Sequence, residues 1–133
     1  MRRALVVLAS FSLLIGAAAH SEAAVAAAGP GSYAAGFLTP VVVVPPDDGL
    51  TFANADIAPH NLIATDAFVP KKKAKKVKWC SAYDKGQCPL FWSETITAGQ
   101  STEVLGLEAV ESGKQYAFYC SLHPGMKGTL VAP

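Results

Sequence analysis

Several scarcities bound what this chain can do. Only three histidines occur, and His20 lies in the N-terminal apolar region, which leaves His60 and His123. There are only three cysteines, an odd number, so one of them has no partner within the chain. After the first apolar stretch no second run of about 20 apolar residues follows, so there is no second candidate for a membrane span. No part of the chain beyond that stretch keeps a period of about 3.6 residues, which argues against a helical bundle. Charged residues make up 16% of the chain and the formal net charge is +1, so nothing in the charge balance asks for nucleic acid.

The first residues have the layout of a secretory signal peptide. Arg2 and Arg3 give a positive start, residues 4–19 are almost purely apolar, and small residues follow. A signal spanning 1–23 is expected, with the cut between 19 and 28, and export to the periplasm or the extracellular space. A retained N-terminal anchor is the alternative. No cysteine lies near the cut, which argues against a lipid anchor. Cleavage after Ala23 removes Arg2, Arg3 and Glu22 and leaves nine basic and nine acidic residues. Residues 24–31 are small and read as a flexible lead-in, and 32–133 form the single domain.

The domain reads as all-β. Val41–Val44 is a β-branched run before the turn-forming residues 45–49, and 50–53 and 60–65 follow as strand candidates. Further candidates are 94–97, 102–105 and 128–132. Gln115–Cys120 alternates, with Tyr116, Phe118 and Cys120 on one face and Gln115, Ala117 and Tyr119 on the other. Short strands with a turn signal every eight to twelve residues describe an antiparallel sandwich or barrel. In such a fold Cys120 points inward beside two aromatic rings.

Residues 66–92 read as a long polar loop. It holds Lys71, Lys72, Lys73, Lys75, Lys76 and Lys78 in one eight-residue window, then Cys80 and Cys88. In an oxidising compartment these two cysteines can pair, a bridge worth about 2.5 kcal/mol for so small a loop. Two free buried thiols and a second metal site are the alternatives, the latter weakened because no histidine lies nearby. The lysine run has two readings, a solvated loop or a docking patch for an acidic redox partner or an anionic surface.

The segment 119–128 concentrates the chemistry. Cys120, His123 and Met126 stand at Cys-x-x-His-x-x-Met spacing at the exit of a strand, and His60 stands after Pro59 in another. Two imidazoles and a thiolate with a weak axial thioether make up the ligand set of blue copper. The soft sulfurs favour Cu(I), while imidazole accepts both oxidation states. Zinc has little use for the thioether. Taken singly, each residue has an ordinary structural role, but all three at fixed spacing do not.

The run Pro59-His60-Asn61-Leu62 and the run Tyr119 to Gly128 resemble the two copper-binding segments of the plastocyanin and amicyanin family of cupredoxins. The resemblance covers roughly residues 40–133, and the Cys-to-Met spacing is like the short loop of amicyanin. It implies an eight-stranded Greek-key β-sandwich holding one type 1 copper near one end. His60 matches the buried imidazole, Cys120 the thiolate, His123 the partly exposed imidazole and Met126 the axial ligand. Asn61 matches the residue that pins the Cys loop, and Pro59 offers its carbonyl weakly opposite Met126. Segment 66–92 departs from the family's short connection. The expected function is a monomeric one-electron carrier serving exported redox proteins, with no enzymatic activity. A copper storage, scavenging or delivery module is the alternative, although the chain has no Met- or His-rich tract. Multicopper catalysis is disfavoured, because no histidines remain for a second centre.

Overall fold

The computed structural model describes residues 23–45, 48–84 and 86–133. The expected signal peptide therefore lies outside the described residues, apart from Ala23, as does the centre of the turn expected at 45–49. Among the described residues are seven strands in two sheets. One sheet takes β1 (Ala24–Ala28), β3 (Leu50–Asn54) and β5 (Ser101–Glu103) in the order β1-β3-β5. The other takes β2 (Val41–Val43), β4 (Ile63–Ala64), β6 (Gln115–Cys120) and β7 (His123–Val131) in the order β2-β7-β6-β4.

The expected antiparallel pattern holds for β3–β5, β4–β6 and β6–β7, whereas β1–β3 and β2–β7 pair in parallel. The chain crosses from one sheet to the other between β1 and β3 and between β2 and β7, so these neighbours run the same way. Such crossovers between facing sheets close a sandwich. The alternation read in 115–120 is present: Phe118 and Cys120 are buried and Tyr116 partly so, while Gln115 and Ala117 are exposed.

The core lies between the sheets. Phe52, Phe91, Phe118, Leu50, Leu62, Met126 and Leu130 are its largest fully buried apolar side chains. Phe37 meets Phe52 and Phe118 edge-on, with ring centroids 6.1 and 5.1 Å apart, a geometry that aligns ring edges with ring faces. Gly128 sits opposite Phe118 in the β6–β7 ladder. A Cβ there would overlap the Phe118 ring and come within 2.9 Å of the Pro40 carbonyl, so the position admits only glycine without movement.

Three expectations need correction. Residues 24–28 are not part of a flexible lead-in but strand β1, with Ala26 and Ala28 fully buried. Their small side chains suit the close approach of β1 to β3, and composition alone hides this. Residues 94–97 do not form a strand. Ile96 makes a single two-way bridge with His60, and side chains replace the rest of the ladder: Ser93 Oγ accepts from Leu62 N–H and Asn54 Nδ2 donates to the Ile96 carbonyl.

Segment 66–92, thirdly, is a folded appendage. It contains a one-turn helix, α1 being Ser32–Ala35 and this one α2 (Lys71–Ala74), followed by a 3-10 turn at Lys78–Ala82. Val69, Ala74, Cys80 and Cys88 form a small second core, with Val77, Trp79 and Tyr83 against it. Cys80 and Cys88 are disulfide-bonded, with Cα atoms 5.1 Å apart. Trp79 joins the appendage to the sandwich by stacking on Trp92 at 6.4 Å and donating its indole N–H to the Pro89 carbonyl. Gly106 (φ 94°) allows this approach, since a Cβ there would overlap the Leu90 carbonyl and lie 2.9 Å from the Trp79 ring. No helix among the described residues is long and apolar enough to cross a membrane.

Candidate metal centre

The spacing of Cys120 and His123 acquires a physical meaning in the hairpin. They pair directly across β6 and β7, flanking the two-residue turn Ser121-Leu122. Directly opposed residues project to the same side of a sheet, so thiol and imidazole face inward together. The next pair is Tyr119 with Lys127, which leaves Pro124, Gly125 and Met126 as an extra loop on β7. An odd number of inserted residues shifts the inward set from 123 and 125 to 123 and 126. Met126 is thereby fully buried, while Pro124 and Gly125 stay at the surface.

His60 comes from the segment just before β4, the neighbour of β6. It is fully buried, and its backbone exchanges both hydrogen bonds with Ile96, at 3.0 and 2.9 Å. Its Nδ1 lies 3.8 Å from Cys120 Sγ and 3.1 Å from His123 Nδ1, and His123 Nδ1 lies 3.7 Å from the same sulfur. The point equidistant from these three atoms is about 2.1 Å from each, the bond length that imidazole nitrogen takes to a first-row metal ion. Three lone-pair donors aimed at one point are mutually repulsive without a cation between them. The donor set therefore fits a metal, and its soft sulfurs fit copper. It is the sole group of three or more His, Cys, Asp or Glu with metal-holding geometry among the described residues.

Asn61 locks the two donor segments together. Its backbone N–H points at Cys120 Sγ at 3.5 Å, its Oδ1 accepts from Ser121 N–H at 2.9 Å, and its Nδ2 donates to Ser121 Oγ at 2.9 Å and Thr95 Oγ1 at 3.1 Å. Pro59, just before His60, is exposed.

Sequence reasoning missed Asp56. This carboxylate is 1% exposed, and its Oδ2 accepts from His60 Nε2 at 2.8 Å. Its Oδ1 accepts from the backbone N–H of Ile57 at 2.8 Å and of Gly31 at 3.2 Å. The hydrogen bond from His60, above all, lowers the Asp56 pKa from 3.8 to about 2, against the opposing effect of burial. A carboxylate at Nε2 keeps the imidazole proton there and leaves the Nδ1 lone pair free to face the centre. The available signal was Asp56 standing four residues before His60.

Tyr33 was missed as well. It stands on α1, 56% exposed, with its ring centroid 6.3 Å from that of His123. His123 is itself half-buried, and Leu122, Pro124 and Gly125 are exposed around it, as the sequence suggested.

A two-sheet β-sandwich with one His/Cys/His/Met donor set at the end of its core has the architecture of the cupredoxins, and the set fits one type 1 copper. The sequence pattern of the copper binding proteins, plastocyanin/azurin family, matches residues 24–132, and this chain belongs to that family. Solved structures agree on the fold. A purple cupredoxin from Nitrosopumilus maritimus is 21% identical, over 84% of this chain and 100% of that one, with a TM-score of 0.56. A reduced amicyanin mutant is 22% identical over 84% of this chain and 82% of its own, with a TM-score of 0.55. Another amicyanin mutant, in its Cu(I) form at pH 4, is 19% identical over 85% and 84%, with a TM-score of 0.56. Comparison with curated protein sequences gives no match.

Proposed function

We propose that this protein is a one-electron carrier between exported redox partners, holding a single type 1 copper through His60, Cys120, His123 and Met126. The observation that carries the reading is the convergence of three donor atoms on one point, with His123 alone half-open to the surface. Bound there, copper supplies a one-electron couple between Cu(I) and Cu(II). The protein's part is to hold the donors still. Asp56 orients His60, and Asn61 ties the His60 segment to the Cys120 turn, so both are fixed from behind. Donors held in one arrangement need little rearrangement when the electron moves.

All four donors are committed to one closed site, so the reading is of a carrier and not an enzyme. The His123 ring edge is the electron's door. Leu122, Pro124, Gly125 and Tyr33 around it offer a protein partner a mostly apolar seat, with the carrier acting as a monomer. A signal peptide over 1–23 delivers it to the periplasm or the extracellular space.

The test is an optical spectrum of copper-loaded protein, oxidised and then reduced, followed by voltammetry of Met126 variants. A strong blue band that bleaches on reduction is expected. Met126→Gln, with a harder oxygen, lowers the potential, and Met126→Leu raises it, with copper retained in both. A colourless Cu(II) form overturns the type 1 assignment. Prompt release of copper to a chelator on reduction, with a potential indifferent to residue 126, overturns the carrier in favour of copper storage or delivery.

A further inference from the structure

The lysine run serves no purpose at the metal centre, yet the fold takes care to present it. All six side chains are exposed, while Ala74 within the run and Cys80 just after it are buried in the appendage's own core. The disulfide closes that core, and the Lys71 stem lies so near Gly86 that a Cβ there would meet Lys71 Cε at 2.6 Å. No lysine of the run is in an ion pair among the described residues, where the salt bridges are Lys114–Glu111 and His60–Asp56. A concentrated positive charge is thus carried on a disulfide-closed mount with its own small core.

The Lys73 side of the mount stands toward the start of β6, while its Tyr83 side is within electrostatic reach of Tyr119. Phe68, Lys73, Val77 and Trp79 line one groove, of about 520 Å³, together with Glu111 and Lys114 just before β6 and Tyr116 at its start. Cys120 is at the other end of that strand, roughly 13 Å further along at the usual rise per residue. A surface bound on the Lys73 side therefore meets the end of β6 opposite Cys120 and leaves His123 free.

The chemistry of the patch favours a lipid surface over a protein. Every cation in it is lysine, and no arginine occurs anywhere after Arg3. Lysine is a strongly hydrated point charge on a flexible stem and attracts diffuse negative charge, without the fixed bidentate fork by which arginine sets the geometry of a protein interface. Phe68, three residues before the run, is 47% exposed. An exposed apolar ring beside a cluster of lysines is the composition of a peripheral membrane contact.

We infer that the Lys71–Lys78 face, with Phe68, docks the protein reversibly on an anionic lipid bilayer and leaves the His123 end turned outward. The inference rests on the reading that the chain is an exported electron carrier. Its partner is a phosphate-bearing lipid headgroup layer, and its consequence is carriage of electrons by diffusion along a surface.

The test is co-sedimentation of the copper-loaded protein with vesicles of phosphatidylglycerol and phosphatidylcholine, against phosphatidylcholine alone, over a salt series. Binding to the anionic vesicles only, weakening as salt rises, is expected. The combined change Lys72→Gln, Lys73→Gln, Lys75→Gln and Lys76→Gln lowers the partition constant on the order of 100- to 1000-fold. Phe68→Ser lowers it several-fold and leaves binding to soluble poly-glutamate unchanged. A small-molecule reductant reduces bound and free protein at rates within about twofold, which reports the free His123 end. The unaltered optical band shows that each variant is folded. No preference for anionic vesicles, or equal binding of the lysine variant, overturns the inference. Binding to poly-glutamate without binding to vesicles overturns it in favour of an acidic protein partner. Reduction blocked on the vesicle overturns the orientation. Vesicle binding does not need colour, so a wrong copper assignment is distinguishable from a wrong docking surface.

Discussion

Replacing Asp56 by Asn tests the support behind the metal centre. The change keeps shape and volume but removes a charge and one acceptor. Oδ1 can still accept from Gly31 and Ile57, which then turns the new amide N–H₂ toward His60 Nε2–H, donor against donor. His60 relieves this by moving its proton to Nδ1, where it blocks the lone pair that faces the centre. Loss of such an outer partner typically weakens metal affinity 10- to 100-fold, and that range is expected here for Cu(II). The carboxylate stands one hydrogen bond and one imidazole ring from the donor centre, roughly 7 Å. At that distance, with an effective dielectric constant of about 20, losing one negative charge destabilises Cu(II) against Cu(I) enough to raise the potential on the order of 50–100 mV. The folded-state pKa of Asp56 is lowered from 3.8 to about 2, so its contribution to stability is complete above 3.8 and is lost as pH falls through about 2. Asp56 is therefore ionised throughout pH 5 to 8, and the substitution removes a full charge across that range. Voltammetry and a competitive chelator titration measure both quantities. A potential within about 10 mV of wild type, with unchanged affinity, would refute the role given to Asp56.

Other changes separate the site from its scaffold. Cys120→Ser erases the blue band while far-ultraviolet circular dichroism stays that of the β fold, and persistence of the colour contradicts the thiolate assignment. Cys80→Ala with Cys88→Ala lowers unfolding free energy by about 2.5 kcal/mol and leaves the optical band in place, because the bridge belongs to the appendage core and not to the sandwich. Free alkylation of both thiols in protein recovered unreduced from an oxidising compartment, found by mass spectrometry, contradicts the bridge. Gly128→Ala costs about 1–3 kcal/mol in denaturant unfolding, since its methyl meets the Phe118 ring and the Pro40 carbonyl. Wild-type stability in that variant would show that the β6–β7 ladder yields easily.

Much of the site was written locally. Cys120 and His123 face one another because two residues turn a hairpin between them, and this relation needs nothing beyond residues 119–127. The inward face of β6 was equally legible, since a strand's period of two is fixed by its backbone. The pairing of Cys80 and Cys88 could be read because eight residues separate them and few alternatives remain.

Relations between distant segments are of another kind. His60 joins Cys120 across a separation of 60 residues, and its place is set by the bridge to Ile96 and the clamp at Asn61, which exist only once the sheets have met. Tyr33 reaches His123 across the whole domain. Ala24–Ala28 reads as a linker because alanine has no preference for strands, and only burial against β3 makes it one. The lysine segment, polar by composition, folds because Val69, Ala74 and the Cys80–Cys88 disulfide find one another beneath it. The chain's own order determined which donors the centre has and how three of them are spaced. The tertiary structure decided where the fourth donor comes from, which carboxylate steadies it and which way the lysines face, because those depend on contacts that close only when the whole sandwich is packed.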